Sequence, residues 1–190
     1  MTFSKLKSGK EHQLIEQIAE GNKNAFQDLY FLYKDKVYNT SIGYLQNAED
    51  AEEVTQDVFL SIYKKAYAFK GNSKVSTWIY RITVNKALSK IDKNKRKPYA
   101  NTEVKDHHRV DFKHPGVALE QQEKAAHLFM AINTLIDSQK TAFILTYVEG
   151  LPQKQVANIM ENSVKAVESL LQRAKTNLKN KLINVYPEGY

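Results

Sequence analysis

At 190 residues the chain is long enough for one medium domain or two small ones, and its 42% apolar content argues against disorder throughout. Cysteine is absent, which rules out disulfides, a thiol nucleophile and a thiolate metal site, and no apolar run approaches the roughly 20 residues of a membrane span. A net charge of +7 points to an anionic partner, nucleic acid first, with a merely solvated basic surface as the alternative.

The opening Met1-Thr2-Phe3-Ser4-Lys5 lacks the apolar core of a signal peptide, so a cytoplasmic protein without membrane insertion is expected. Gly and Pro are scarce, at 7 and 4, and every strongly periodic segment reads as helix. Leu14, Ile15 and Ile18 mark a short first helix. Gly21-Asn22 follows, with Asn22 a candidate N-cap. Phe26, Leu29, Tyr30, Tyr33, Val37, Tyr38, Ile42 and Leu45 then recur at three- and four-residue spacing, which predicts a long amphipathic helix with an aromatic stripe. Asn47 can cap the next helix, whose stripe is Ala51, Val54, Val58, Ile62 and Ala66. A loop holding Gly71, Asn72 and Ser73 leads to a helix opened by Thr77 and carrying Trp78, Ile79, Ile82, Leu88 and Ile91. Tyr30, Tyr33, Tyr38, Phe59, Tyr63 and Trp78 are most economically core, because aromatic residues at helical spacing more often pack than stack on bases.

Charge is segregated along this half. Glu49, Asp50, Glu52, Glu53 and Asp57 crowd one helix, whereas from Lys64 to Lys97 the basic residues meet a single acid, Asp92. Two surfaces with two different partners are implied. From Lys93 to Gly116 periodicity is lost, and Pro98 and Pro115 lie among mixed charges. This reads as a flexible linker between two domains.

Beyond it, Ala125, Leu128, Phe129, Ile132, Leu135 and Ile136 predict a helix, and Ser138 can cap a second one that ends at Gly150. Pro152 suits the first position of a third, and Ser163 can cap a fourth reaching about Leu182. The most specific signal lies in this last pair. Val156, Ala157 and Met160 form one apolar face, Glu161-Asn162-Ser163 break the helix, and Val164, Val167, Leu170, Leu171 and Ala174 form another. That is the pattern of a helix-turn-helix, in which the second helix can enter a major groove. Its outward side offers Lys165, Glu168, Ser169, Gln172, Arg173 and Lys175, side chains suited to base edges and phosphates. An ordinary pair of helices with a solvated face is the alternative. Asn162 is the candidate for the left-handed residue of the turn, since Glu161 stands where Gly is common.

In the first half, the loop Phe69-Lys70-Gly71-Asn72-Ser73-Lys74 runs into a helix carrying Arg81, Asn85 and Lys86. A small polar loop flanked by Lys can hold an unstacked base, and the three helical residues fall within about a turn and a half, so one face could track a strand. A solvated basic helix explains the same residues less specifically.

These motifs together resemble the sigma-70 family of transcription initiation factors, in its extracytoplasmic-function group. Ala25-Phe26-Gln27-Asp28-Leu29-Tyr30 is similar to the opening of the core-binding region, and Asn47-Ala48-Glu49-Asp50-Ala51-Glu52-Glu53-Val54-Thr55-Gln56-Asp57-Val58-Phe59 to the polymerase-binding helix. Phe69 to Asn85 resembles the minus-ten-reading loop and helix, and Leu135 to Lys175 the minus-thirty-five-reading domain. The resemblance implies an all-α fold of two small helical domains. Residues 10–93 would bind core polymerase and read and melt the minus-ten element, 94–120 would be the linker, and 121–183 would carry the helix-turn-helix. It implies that Glu53, Gln56 and Asp57 touch the coiled coil of the polymerase largest subunit. Lys70, Gly71, Asn72, Ser73 and Lys74 would capture a flipped base, with Arg81, Asn85 and Lys86 on the minus-ten DNA. Ser163, Lys165, Glu168, Ser169, Gln172, Arg173 and Lys175 would form the upstream-reading helix. An anti-sigma factor is an implied partner, and no cofactor or catalytic residue is expected.

Two other readings remain at this level. One is a helix-turn-helix regulator with an N-terminal effector domain, able to bind duplex DNA alone. The other is a metal-dependent nuclease using His107, His108 and His114 with Asp106 or Asp111, residues that sit in an aperiodic stretch without a rigid frame to fix ligand geometry.

Overall fold

The structure, a computed structural model, describes residues 2–96 and 122–183. Among the described residues there is no strand, and the chain passes through eight α-helices, in agreement with the all-α expectation. In the first half α1 (Thr2–Ala19), α2 (Lys23–Leu45), α3 (Ala48–Lys65) and α4 (Val75–Arg96) pack together, with a short 3₁₀ turn at Ala66–Ala68. In the second half α5 (Gln122–Asn133), α6 (Asp137–Phe143), α7 (Gln153–Ile159) and α8 (Val164–Leu182) follow, and α6 runs on into a π turn at Ile144–Val148.

Local chemistry sets most of the boundaries. Asn22 Oδ1 accepts from the N–H groups of Asn24 and Ala25 at 3.0 and 3.2 Å and so starts α2. Asn47 Oδ1 accepts from the Asp50 N–H at 2.8 Å, and α3 then places Glu49 and Asp50 at its positive end and Lys64 and Lys65 at its negative end. Ser163 Oγ accepts from the Ala166 N–H at 3.1 Å and starts α8.

Four boundaries depart from expectation. Helix α4 begins at Val75, not Thr77, because Val75 is fully buried and anchors the first turn. It continues to Arg96, since Lys93, Lys95 and Arg96 favour a helix C-terminus although they carry no apolar period. Ser138 does not cap α6: Ile136 holds that position without a side-chain bond, and Asp137 supplies the acidic group of the first turn. Pro152 precedes α7 as its boundary residue and is not inside it.

The core follows the stripes. Leu29, Tyr33 and Val37 of α2, Val54, Val58 and Ile62 of α3, and Ile79 and Ala87 of α4 are buried in the first half. Ile132, Ala142, Leu145, Val156, Val167, Leu171 and Ala174 are buried in the second. Tyr33 and Phe59 are core as expected, and Tyr38 and Trp78 pack against it, but Tyr30 and Tyr63 stand 38% and 44% exposed. They share the outer face of α2 and α3 with Phe31 and Leu60, because the apolar stripe there is wider than the seam it has to fill.

The two halves also touch, which no periodicity announces. Gly43 of α2 leaves room for Ile144, whose Cγ2 would lie 3.5 Å from a β-carbon built there. Gln46, left-handed at φ 52°, donates from Nε2 to the Phe129 carbonyl at 2.7 Å. Lys140 Nζ donates to the Tyr44 carbonyl at 3.2 Å and so caps the C-terminal end of α2 from the far side of the chain.

Candidate nucleic-acid interface

The loop between the 3₁₀ turn and α4 presents Lys70, Gly71, Asn72 and Lys74 to solvent, with Ser73 half-buried. It is propped by rings: His12 lies against Phe69 and Phe69 against Trp78, with centroids 5.3 and 5.1 Å apart. Gly71 has φ +71°, a conformation that L side chains rarely adopt, so the tight loop depends on glycine here. Asn85 is exposed on α4, one turn after Arg81, and Lys86 is half-exposed beside it.

The acidic helix and the basic helix are not independent. Lys86 Nζ lies 3.2 Å from Asp57 Oδ2, and Lys90 Nζ lies 3.0 Å from Asp50 Oδ1 and bonds Glu53 Oε2. Asn94 Nδ2 donates to Asp50 Oδ2 at 2.8 Å. Burial works against the charge of Lys90, but the bonds to Glu53 and Asp50 overturn it and hold its pKa above the ordinary lysine value. Of the three expected polymerase contacts, Gln56 is exposed, whereas Glu53 and Asp57 divide themselves between solvent and α4. Sequence reading missed Asp50 and Lys90 as the centre of this network. Lys90 stands on the inner face of its helix, and a lysine among other lysines gives no sign of burial.

In the second half Ser163, Lys165, Glu168, Ser169, Gln172, Arg173 and Lys175 are all exposed. Val167, Leu171 and Ala174 seat α8 from below, so the polar row stands free on a fixed helix. Lys175 is partly committed, with its Nζ 4.8 Å from the centre of the Tyr147 ring. The left-handed residue of the turn is Glu161, at φ 54°, and not Asn162. Asn162 instead donates its N–H to the Ala157 carbonyl at 2.9 Å. That closes the reversal one residue after the strained position, as in a Schellman-type end.

Arg81 is where the two candidate DNA surfaces meet. Its Nη1 pairs with Glu161 Oε1 at 2.9 Å and its Nη2 donates to the Asn158 carbonyl. Next to it Tyr80 Oη donates to Glu149 Oε2 at 3.1 Å, and burial pushes the Glu149 carboxyl above its ordinary range. Among the described residues no group of three or more His, Cys, Asp or Glu could hold a metal, and no helix is long and apolar enough to cross a membrane. His107, His108, His114, Asp106 and Asp111 lie outside the described residues.

Burial holds the Lys140 ammonium down at about 8, from the ordinary 10.5, against the pull of Asp137 and with a push from Lys95. A lysine depressed in the fold releases its proton there before the unfolded chain does, so stability rises as pH climbs from about 8 towards 10. Tyr33, Tyr44 and Tyr80 are raised by burial, so above about pH 10 the unfolded chain ionises first and stability falls again. Denaturant melts across pH 7–11 should therefore peak near about pH 10, with a rise on the order of 1–3 kcal/mol. Lys140→Met should flatten that rise.

Known proteins place these surfaces in context. Residues 29–97 match the family model Sigma-70 region 2, and residues 128–178 match Sigma-70, region 4. The ECF RNA polymerase sigma-E factor of Haemophilus influenzae is 31% identical over 181 residues, covering 90% of this chain and 95% of that protein. The ECF RNA polymerase sigma factor SigW of Bacillus subtilis is 29% identical, covering 88% and 94% respectively. Among solved structures, CnrH in complex with the cytosolic domain of CnrY shares the fold, with a TM-score of 0.68 at 21% identity over 93% of this chain and 99% of that one.

Proposed function

Because this chain belongs to the sigma-70 family, in its extracytoplasmic-function group, we propose that it directs core RNA polymerase to specific promoters and starts DNA-templated transcription there. The observation that carries this reading is the exposed row from Lys165 to Lys175 on a capped, well-seated helix, together with a second basic surface on the loop and α4. Two readers on one chain fit a promoter with two separated elements better than a single operator site.

Residues 10–93, with α4 running on to Arg96, form the half that binds core and opens the minus-ten element, the segment from there to 120 is the linker, and 121–183 form the half that reads the upstream element. Glu53, Gln56 and Asp57 dock on the coiled coil of the polymerase largest subunit, and the exposed Tyr30, Phe31, Leu60 and Tyr63 add apolar area on the faces of α2 and α3. Lys70 to Lys74 hold a base extruded from the duplex, which costs a few kcal/mol, and phosphate contacts from Arg81, Asn85 and Lys86 offset it. Glu168, Ser169, Gln172 and Arg173 read base edges in the upstream major groove, with Ser163, Lys165 and Lys175 on the backbone. The chain acts without catalytic residues, in the cytoplasm where polymerase works. An anti-sigma factor is the partner that would restrain it.

Run-off transcription tests the whole reading. Purified protein plus core enzyme starts transcripts at selected promoters, and neither component does so alone. A chain that shifts promoter DNA equally well without core, and adds nothing to core in transcription, is an ordinary helix-turn-helix regulator and the proposal fails.

A further inference from the structure

The loop assigned to base capture has little of its own to hold its shape. Among the described residues, the backbone groups from Lys70 to Ser73 bond to no other backbone group, and the side-chain bond within the loop, from Ser73 Oγ to the Lys74 carbonyl, is long at 3.4 Å. Its two ends are tied: the Phe69 N–H donates to the Ala66 carbonyl and the Trp78 N–H to the Lys74 carbonyl, each at 3.1 Å. Between these ties the loop takes its pose from what it rests on, and that is α1. His12 of α1 lies with its ring centroid 5.3 Å from that of Phe69, tilted by 51°. The same imidazole stands beside the tip of the loop, since a β-carbon built on Gly71 would meet His12 Cδ2 at 3.8 Å and Nε2 at 3.9 Å. One side chain thus supports the loop at its start and at its tip. We propose that His12 is a positioning residue for base capture, acting through Phe69 and Gly71 to hold Lys70–Lys74 in the shape that receives an extruded base.

The packing favours this role over a merely structural one. Helix α1 is already seated by Leu14, Ile15 and Ile18, all buried, whereas His12 is half-buried and turns its ring to the loop. Phe69 in turn leans on Trp78, with centroids 5.1 Å apart, so the row of rings ties the loop both to α1 and to the helix that carries Asn85. Lys70, Gly71, Asn72 and Lys74 are exposed, so support from α1 leaves them open to a nucleotide. A loop that must meet a base edge loses affinity in proportion to the time it spends in other shapes. A flat ring restrains it at small entropic cost, because it has few torsions to freeze.

The inference rests on the reading of Lys70–Lys74 as the base-capturing loop, and the test separates the two ideas. The full chain bound to core enzyme is titrated with a labelled single strand carrying the non-template minus-ten segment of a promoter from which it starts transcripts. Copies of that strand replace one base at a time by an abasic site. The natural chain should show one position whose base raises affinity most. His12→Ala should weaken binding of the intact strand about two- to tenfold, the range expected for loss of an aromatic contact, and leave binding of the strand abasic at that position unchanged. His12→Phe, which keeps a ring, should bind both strands as the natural chain does. His12→Leu, similar in bulk but without a ring, should behave as His12→Ala and guards against a loss of fold. Natural affinity for the intact strand in His12→Ala and His12→Leu overturns the proposal, and so does an equal loss on both strands. A His12→Phe variant as weak as His12→Ala overturns the ring contact as the route. If no abasic site weakens the natural chain, the assignment of the loop to base capture falls, and the role of His12 with it.

Discussion

Ile79→Ala should cost about 2–5 kcal/mol of stability, one of the two largest effects expected of a single side chain here. Ile79 is 1% exposed in the second turn of α4, a helix that packs on both α2 and α3. Truncation removes buried methyl groups and leaves a void that three packed helices can close only in part. A domain of this size has a total stability of about 5–15 kcal/mol, so the loss is a large share of it. Thermal melting should fall by roughly 5–15 °C. Ile136→Ala provides the comparison, because Ile136 is 62% exposed and its loss should shift stability by less than about 0.5 kcal/mol. Equal effects from the two substitutions would contradict the core described here. The functional consequence follows directly, since the same helix carries Arg81 and Asn85 on its outer side.

Replacing Gln172 and Arg173 together by Ala should abolish most upstream selectivity while leaving the fold intact. Both side chains are exposed, and neither belongs to the core that seats α8. A well-made bidentate contact to a base is worth about 1–3 kcal/mol of discrimination, roughly five- to 150-fold for each. The measurement is transcription with core enzyme from a native promoter and from one with a scrambled upstream element. The natural chain should prefer the first strongly, and the double variant should treat the two almost alike. Undiminished preference in the variant would move the reading surface off this helix. Unchanged thermal melting would show that the effect lies in recognition.

Much of this architecture was legible in the sequence because its determinants are local. Asn22, Asn47 and Ser163 cap the helices that follow them, and a cap needs only a side chain and an N–H two or three residues on. The apolar stripes named the core because α-helical spacing puts them on one face. The exposed row of α8 was legible as the complement of its buried row. What escaped is non-local. The Arg81–Asn158 and Lys140–Tyr44 contacts join residues 77 and 96 positions apart, and no periodicity encodes them. Lys90 looked like one more base in a basic run, yet Asp50 and Glu53 draw it inward. Tyr30 and Tyr63 failed the opposite way: the stripe they extend is real, but it is broader than the neighbouring helices can cover.

The bare α-carbon at position 43 has a meaning beyond its own helix. Glycine there weakens α2 by about 0.5–1 kcal/mol relative to alanine, yet a methyl group at that point would meet Ile144 Cγ2 at 3.5 Å, an ordinary contact. The seam is therefore wide enough for one more carbon, and Gly43→Ala should be accepted without moving the halves apart while stiffening α2.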